Sequence, residues 1–345
     1  MTTDPASPSP HLSVRPEWLA LHHEDVIDPV LPIVDPHHHL WDRQANRYFL
    51  FDLLRDVDTG HNIRATVAVE AGAMYRRDGV AELRPVGETE FLNGAAAMSA
   101  SGEYGACRVC AGIVGHADLC LGERVVPVLE AQIRAGGGRF RGVRFISAWH
   151  PDPAARASLA NPPPYVLQDA DFRAGFAQLA PLGLSFDAWM YHTQLPELVE
   201  LARAYPETTI IVNHVGGAIG IGPYAGKRDA VFAEWSASIR ELARCPNVYM
   251  KLGGLGMRLF GFDFASRGRP PSSEDLAQSW RPYIDACIEA FGAERCMFES
   301  NFPVDKGSCS YAVLWNAFKR IAALASSAEK QWLFSGTASK VYRLS

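Results

Sequence analysis

Eight short apolar or β-branched runs alternate with longer stretches of helical periodicity, and this alternation restricts the possible folds more than any other feature. The runs are LPIVDPH (31–37), ATVAVEAG (65–72), CAGIVGH (110–116), RGVRFIS (141–147), LSFDAWM (184–190), TTIIVNH (208–214), VYMKLGG (248–254) and RCMFESN (295–301). Between them lie segments such as ERVVPVLEAQIRAG, ADFRAGFAQLAPLG, LPELVELARAYP, VFAEWSASIRELARC and YIDACIEAFG. In LPELVELARAYP, Leu195, Leu198, Val199 and Ala202 keep helical spacing, and Pro206 stands just beyond. Strands separated by helices pair in parallel. Eight such units suit a (β/α)8 TIM-type barrel of ~250 residues plus insertions. An open doubly wound sheet is the alternative, but no glycine-rich phosphate loop supports it.

No break in composition marks a second domain, so the expectation is one barrel over residues 31–345 behind a flexible arm, 1–30. The arm opens MTTDPASPSPHLSVRP, polar and proline-rich, without the apolar stretch of a signal peptide. No apolar run approaches the ~20 residues that cross a bilayer, and the chain reads as cytoplasmic. RRDGVAELRPVGETEFLNGAAAMSASGEYG and GMRLFGFDFASRGRPPSSEDL both follow strand ends and read as inserted loops over the catalytic face. A net charge of -5 argues against a nucleic-acid or anionic-membrane surface. Seven scattered cysteines suit reduced thiols, and Cys107 and Cys110, a lone C-x-x-C, read as small residues at a strand entrance.

In a barrel, the C-terminal ends of the strands carry the chemistry. Read in order, those ends hold His37 and His39, Glu70, His116, Arg144, Trp189, His214, Lys251, then Glu299 and Asn301. Titratable groups gather where a core strand should be apolar. Side-chain alternation puts His37 and His39 on one face and His38 on the other, and such a pair can chelate a cation or grip a substrate oxygen. His214 closes an apolar run and precedes two glycines that would admit substrate or backbone.

The segments DPHHHLWD, GIVGHADL, GVR, HTQLPELVELARAYPETTIIVNHVGG, NVYMKLGGLG and CMFESNFPVD resemble, in order and spacing, the amidohydrolase superfamily. The similarity runs from about Leu31 to the C-terminus. Its nearest branch is the amidohydrolase-2 group that includes 2-pyrone-4,6-dicarboxylate lactonase and the sugar-acid lactonases. The resemblance implies a hydrolase that opens a lactone or related carboxylic ester. By position, His37 and His39 match the first-strand H-x-H and His214 the sixth-strand histidine. Asn301 stands where the family usually has aspartate. An amide neither takes a proton at neutral pH nor supplies an anionic ligand. Glu299, two residues earlier, is the replacement carboxylate, with Asp305 the next candidate; an ion pair between Glu299 and Lys251 is the structural alternative for that carboxylate.

The expectation is catalysis by His37, His39, His214, Glu299 and Asn301, with Glu70, Arg144, Trp189, His192 and Lys251 on the substrate. The cofactor is none, or a weakly held divalent cation such as zinc on His37 and His39. The partner is a small acidic or lactone molecule; a homo-oligomer stays open. The rival readings are a metal-dependent decarboxylase of an aromatic or unsaturated acid, and a non-catalytic binder of an acidic metabolite.

Overall fold

The computed structural model describes residues 11–43, 46–158 and 160–344. Eight strands form one parallel sheet in chain order: β1 Pro32–His38, β2 Asn62–Val69, β3 Arg108–Gly115, β4 Phe140–Ile146, β5 Ser185–Trp189, β6 Ile210–Val212, β7 Val248–Leu252 and β8 Cys296–Phe298. Just past β8 the chain returns to β1: Asn301 N donates to the His37 carbonyl at 2.9 Å and His39 N to that of Phe302 at 2.8 Å. The sheet thus nearly closes into the expected (β/α)8 barrel.

The helices between strands are α1 Leu50–Val57, α2 Val86–Ala100, α3 Val126–Ala135, α4 Ala170–Phe176, α5 Leu195–Ala204, α6 Arg228–Leu242, α7 Ser273–Phe291 and α8 Tyr311–Ile321. α5 buries the four apolar positions that periodicity singles out. Two expectations change. The first supposed insertion contains α2, the crossover helix between β2 and β3, which buries Leu92, Ala95 and Ala96. Its small residues, Gly87, Gly94 and Ala95 to Ala97, hide the amphipathic stripe that would mark a helix. The second is a true loop up to Ser272, whose side chain and Asp275 form a capping box that starts α7.

Two apolar layers hold the barrel. One joins the outer strand faces to the helices. The other unites Val34, Val67, Val69, Val114, Ile211 and Met297 with Val341 and Tyr342 of the C-terminal segment, which closes one end of the barrel. Residues 1–10 of the expected arm lie outside the described residues. From His11 onward the segment is laid against the barrel: Trp18 Nε1 donates to the Arg267 carbonyl at 3.0 Å, and Glu24 accepts from Ser273 N at 2.7 Å. No described helix is long and apolar enough to cross a membrane.

Candidate active site

The register of β1 shifts between Asp35 and His38. Such an irregularity changes which face the following side chains occupy, and it accounts for His37 and His39 facing the barrel although Val34 does too. His38 points the other way, with Nε2 2.8 Å from Thr66 Oγ1. Four expected residues converge here. His37 and His39 meet through their Nε2 atoms at 3.3 Å, and the rings of His37 and His214 lie 4.6 Å apart. Glu299 joins them: Oε1 accepts from His214 Nδ1 at 2.7 Å and from His214 N at 3.1 Å, and Oε2 stands 2.8 Å from His37 Nδ1. The glycines after β7 make the room. A Cβ on Gly253 would strike Glu299, and one on Gly254, which has φ +69, would strike the His214 ring.

Partners fix where protons sit. The Val69 carbonyl only accepts, so His39 Nδ1, 2.8 Å away, carries hydrogen and Nε2 keeps its lone pair. Glu299 Oε1, which also accepts from the His214 amide, likewise places the His214 proton on Nδ1. His37 Nδ1 has two neighbours: Lys251 Nζ at 3.3 Å, a donor, and Glu299 Oε2 at 2.8 Å, an acceptor when it carries no proton. Oε2 is buried and has no aligned hydrogen bond among the described residues, despite that 2.8 Å approach. A proton on either atom, or a cation bound beside both, would relieve the repulsion between the two lone pairs. His37, His214 and Glu299 are the described set that can hold a metal, with ligand atoms within 4.8 Å of one another. One carboxylate and two imidazoles are fitting donors for a divalent cation. This set contains Glu299 and His214 where the expected one had only His39 beside His37.

The structural alternative for Glu299 is not what the surrounding charges show. The ion pair between Glu299 and Lys251 does not form. Lys251 is fully buried and bonds Asp187 Oδ1 at 2.7 Å, while Asp187 also accepts from Asn213 Nδ2 at 3.0 Å and Tyr342 OH at 2.9 Å. An aspartate inside the otherwise apolar LSFDAWM was the sequence signal for this partner. Arg144 donates through Nε to Glu70 Oε1 at 2.8 Å and brings Nη1 to 3.5 Å from His37 Nε2. Burial tends to raise the Glu70 carboxyl, but the guanidinium outweighs it and holds the group below its usual range. His37 is pushed well below the ordinary imidazole value by burial, then by Lys251, His214, His39 and Arg144; His39 is pushed down by burial and Arg144. His214 is lowered by burial against the opposing pull of Glu299. All three rings favour the neutral form.

The remaining expected residues sit around this centre. Trp189 meets His214 edge-on at 4.8 Å. His116 Nδ1 lies 3.4 Å from the Arg144 carbonyl. His192 stands apart: its Nδ1 accepts from Ile219 N at 3.2 Å, which leaves the proton on a buried Nε2 without a partner among the described residues. Asn301 turns its amide to Asp305, Nδ2 to Oδ1 at 2.9 Å, and Asp305 also accepts from Gly256 N at 2.9 Å. Burial pushes the Asp305 carboxyl up to about 8.

Residues 34–344 match the amidohydrolase family model. The chain belongs to that family. It is 34% identical over 328 residues to an uncharacterised protein of Sinorhizobium fredii, covering 91% of this chain and 99% of the relative. It is 28% identical over 325 residues to the L-fucono-1,5-lactonase of Burkholderia multivorans, covering 90% and 96%. A crystal structure of an amidohydrolase from Burkholderia multivorans with bound zinc superimposes with a TM-score of 0.69 at 27% identity, over 91% of this chain and 99% of the other. The fold, the family and hydrolase chemistry therefore agree for this amidohydrolase.

Proposed function

We propose that the chain hydrolyses the lactone of a sugar acid or similar small organic acid, with Glu299 as the general base. The observation that carries this reading is the buried carboxylate shared by His214 and His37, with one oxygen lacking an aligned donor. The similarity to a fuconolactonase along nearly the whole chain supports the substrate class.

In this reading, Glu299 Oε2 takes a proton as water adds to the lactone carbonyl. His214 and its backbone amide hold the carboxylate in place through Oε1. Arg144, fixed by Glu70, stabilises the developing oxyanion, while His39 Nε2, which keeps its lone pair, accepts from the attacking water or a substrate hydroxyl. The ring C–O bond then breaks, the leaving oxygen is protonated, and the product hydroxy acid ionises with release of one proton. Trp189 offers an apolar wall. The Nε2–H of His192 is a donor for a substrate oxygen, and Lys251, fully paired with Asp187, acts on His37 from below. Zinc, held by His37, His214 and Glu299, would supply Lewis acidity to the carbonyl and its attacking water.

His37→Ala and His214→Ala should each lower kcat/KM for a sugar-acid lactone by at least about 100-fold, the usual scale for removing an acid–base group. Circular dichroism should show an unchanged fold. Near-normal turnover in both variants would refute the assignment.

A further inference from the structure

The described part of the N-terminal segment follows the barrel rim over three consecutive strand ends. Trp18 Nε1 and the Arg15 guanidinium donate to the carbonyls of Arg267 and Ala265 in the loop after β7. Arg15 also lies over the Trp18 ring, 4.2 Å from its centroid. Leu12 packs against Gly307 in the loop after β8, so closely that a Cβ there would lie 2.5 Å from Leu12 Cβ and 2.9 Å from its carbonyl oxygen. His11 then reaches the loop after β1. Its ring stacks on Trp41 at 5.7 Å and 13°, and Trp41 stacks on His39 at 5.4 Å and 14°. Arg43 Nη1 stands 3.4 Å from His11 Nδ1, and the Arg43 guanidinium lies 4.1 Å from the Trp41 centroid.

A residue from the start of the chain thus extends a wall of stacked rings outward from His39, beside the Arg43 guanidinium. Burial, with Arg43 and Arg144 nearby, pushes His11 down to about 4, so it serves as a neutral ring. We propose that residues 11–18 form a strap along the active-site rim and that His11 is a specificity-determining residue bounding the substrate entrance. Nothing in the general chemistry of the centre requires such a residue, and its effect should fall on binding. A planar ring at the mouth of a pocket selects ligands by shape and stacking, while the groups that move protons lie deeper.

The kinetic arm of the test rests on the lactonase reading; the structural arm does not. On a lactone that the native enzyme turns over, His11→Ala should raise KM by about fivefold or more with kcat within twofold, since only binding is touched. His11→Phe, which keeps a stacking ring, should recover most of the loss. Equal falls in kcat for both variants, or no change in either, would overturn the specificity role. Independently, hydrogen exchange should be slow in peptides covering 11–18 of the full-length native protein. In Gly307→Ala, whose new methyl displaces Leu12, exchange there should quicken and His39 should react faster with diethyl pyrocarbonate. Exchange in native 11–18 as fast as in an unstructured peptide, or identical His39 labelling in both proteins, would overturn the strap. If the native enzyme opens no lactone, the lactonase reading fails while the exchange and labelling results still decide the strap.

Discussion

Replacing Lys251 by methionine tests how the charged floor of the site is held. Lys251 Nζ bonds Asp187 at 2.7 Å, and both side chains are fully buried. The substitution keeps an apolar stem of similar length but leaves the Asp187 carboxylate, among the described residues, with Asn213 and the Tyr342 hydroxyl as its side-chain donors. Removing one partner of a buried pair costs about 3–5 kcal/mol, because the charge that stays is uncompensated. For a chain of 345 residues the unfolding entropy is about 0.7 kcal/mol per degree, so the melting temperature should fall by about 4–7 °C. Removing Asp187 as well, as Lys251→Met with Asp187→Leu, should recover more than half of that loss. Urea and thermal unfolding of the two single variants and the double variant complete the cycle. A single-variant loss below about 1 kcal/mol, or losses that simply add, would refute the reasoning. Loss of the cation next to His37 should also let that ring protonate more readily.

Other expectations follow from the same geometry. Asn301→Asp sets a second carboxyl against Asp305 at a 2.9 Å contact, so the two should share a proton. Asp305 is raised to about 8 from an unfolded value near 3.8, and a raised carboxyl loses its stabilising effect as pH climbs through that window. The variant should therefore melt progressively lower than the native protein as pH goes from 5 to 9, and a constant gap would count against it. The acid limb of kcat/KM should lie below pH 6.5, since burial and neighbouring cations keep His37, His39 and His214 neutral. A limb at or above 6.5 would show that these rings charge freely. Gly254→Ala, which combines φ +69 with a collision against His214, should abolish turnover and cost about 1–3 kcal/mol. Glu299→Gln removes the anionic member of the candidate metal set, so calorimetric zinc affinity should drop at least about tenfold.

The architecture was legible because parallel strands write themselves as short apolar runs at regular intervals, and polar residues at their ends stand out against that background. His37, His39 and His214 stand out this way, and the structure brings their rings together. Helix α2 was not, because alanine and glycine carry too little hydrophobic contrast to mark a buried face. The partner of Lys251 was not legible, because spacing along one strand does not say which neighbour across a barrel interior a long side chain will reach. Asp187, midway along β5, supplies the anion that the alternative reading gave to Glu299. Glu299 was left free to engage the two histidines. The strap was invisible for a different reason: a polar, proline-rich segment carries no periodicity, and its place depends on single contacts such as Leu12 with Gly307.

The central claim, that this centre opens a lactone by carboxylate-assisted attack of water, is tested most directly by measuring base consumption and carbon dioxide release together. The native enzyme would be given a panel of sugar-acid lactones and, separately, aromatic and unsaturated carboxylic acids, in a pH-stat with a headspace detector. The account predicts one equivalent of base consumed per lactone opened, no carbon dioxide from any substrate, and loss of lactone turnover in Glu299→Gln. Carbon dioxide released stoichiometrically from a carboxylic acid, with no lactone hydrolysed faster than in buffer, would contradict it.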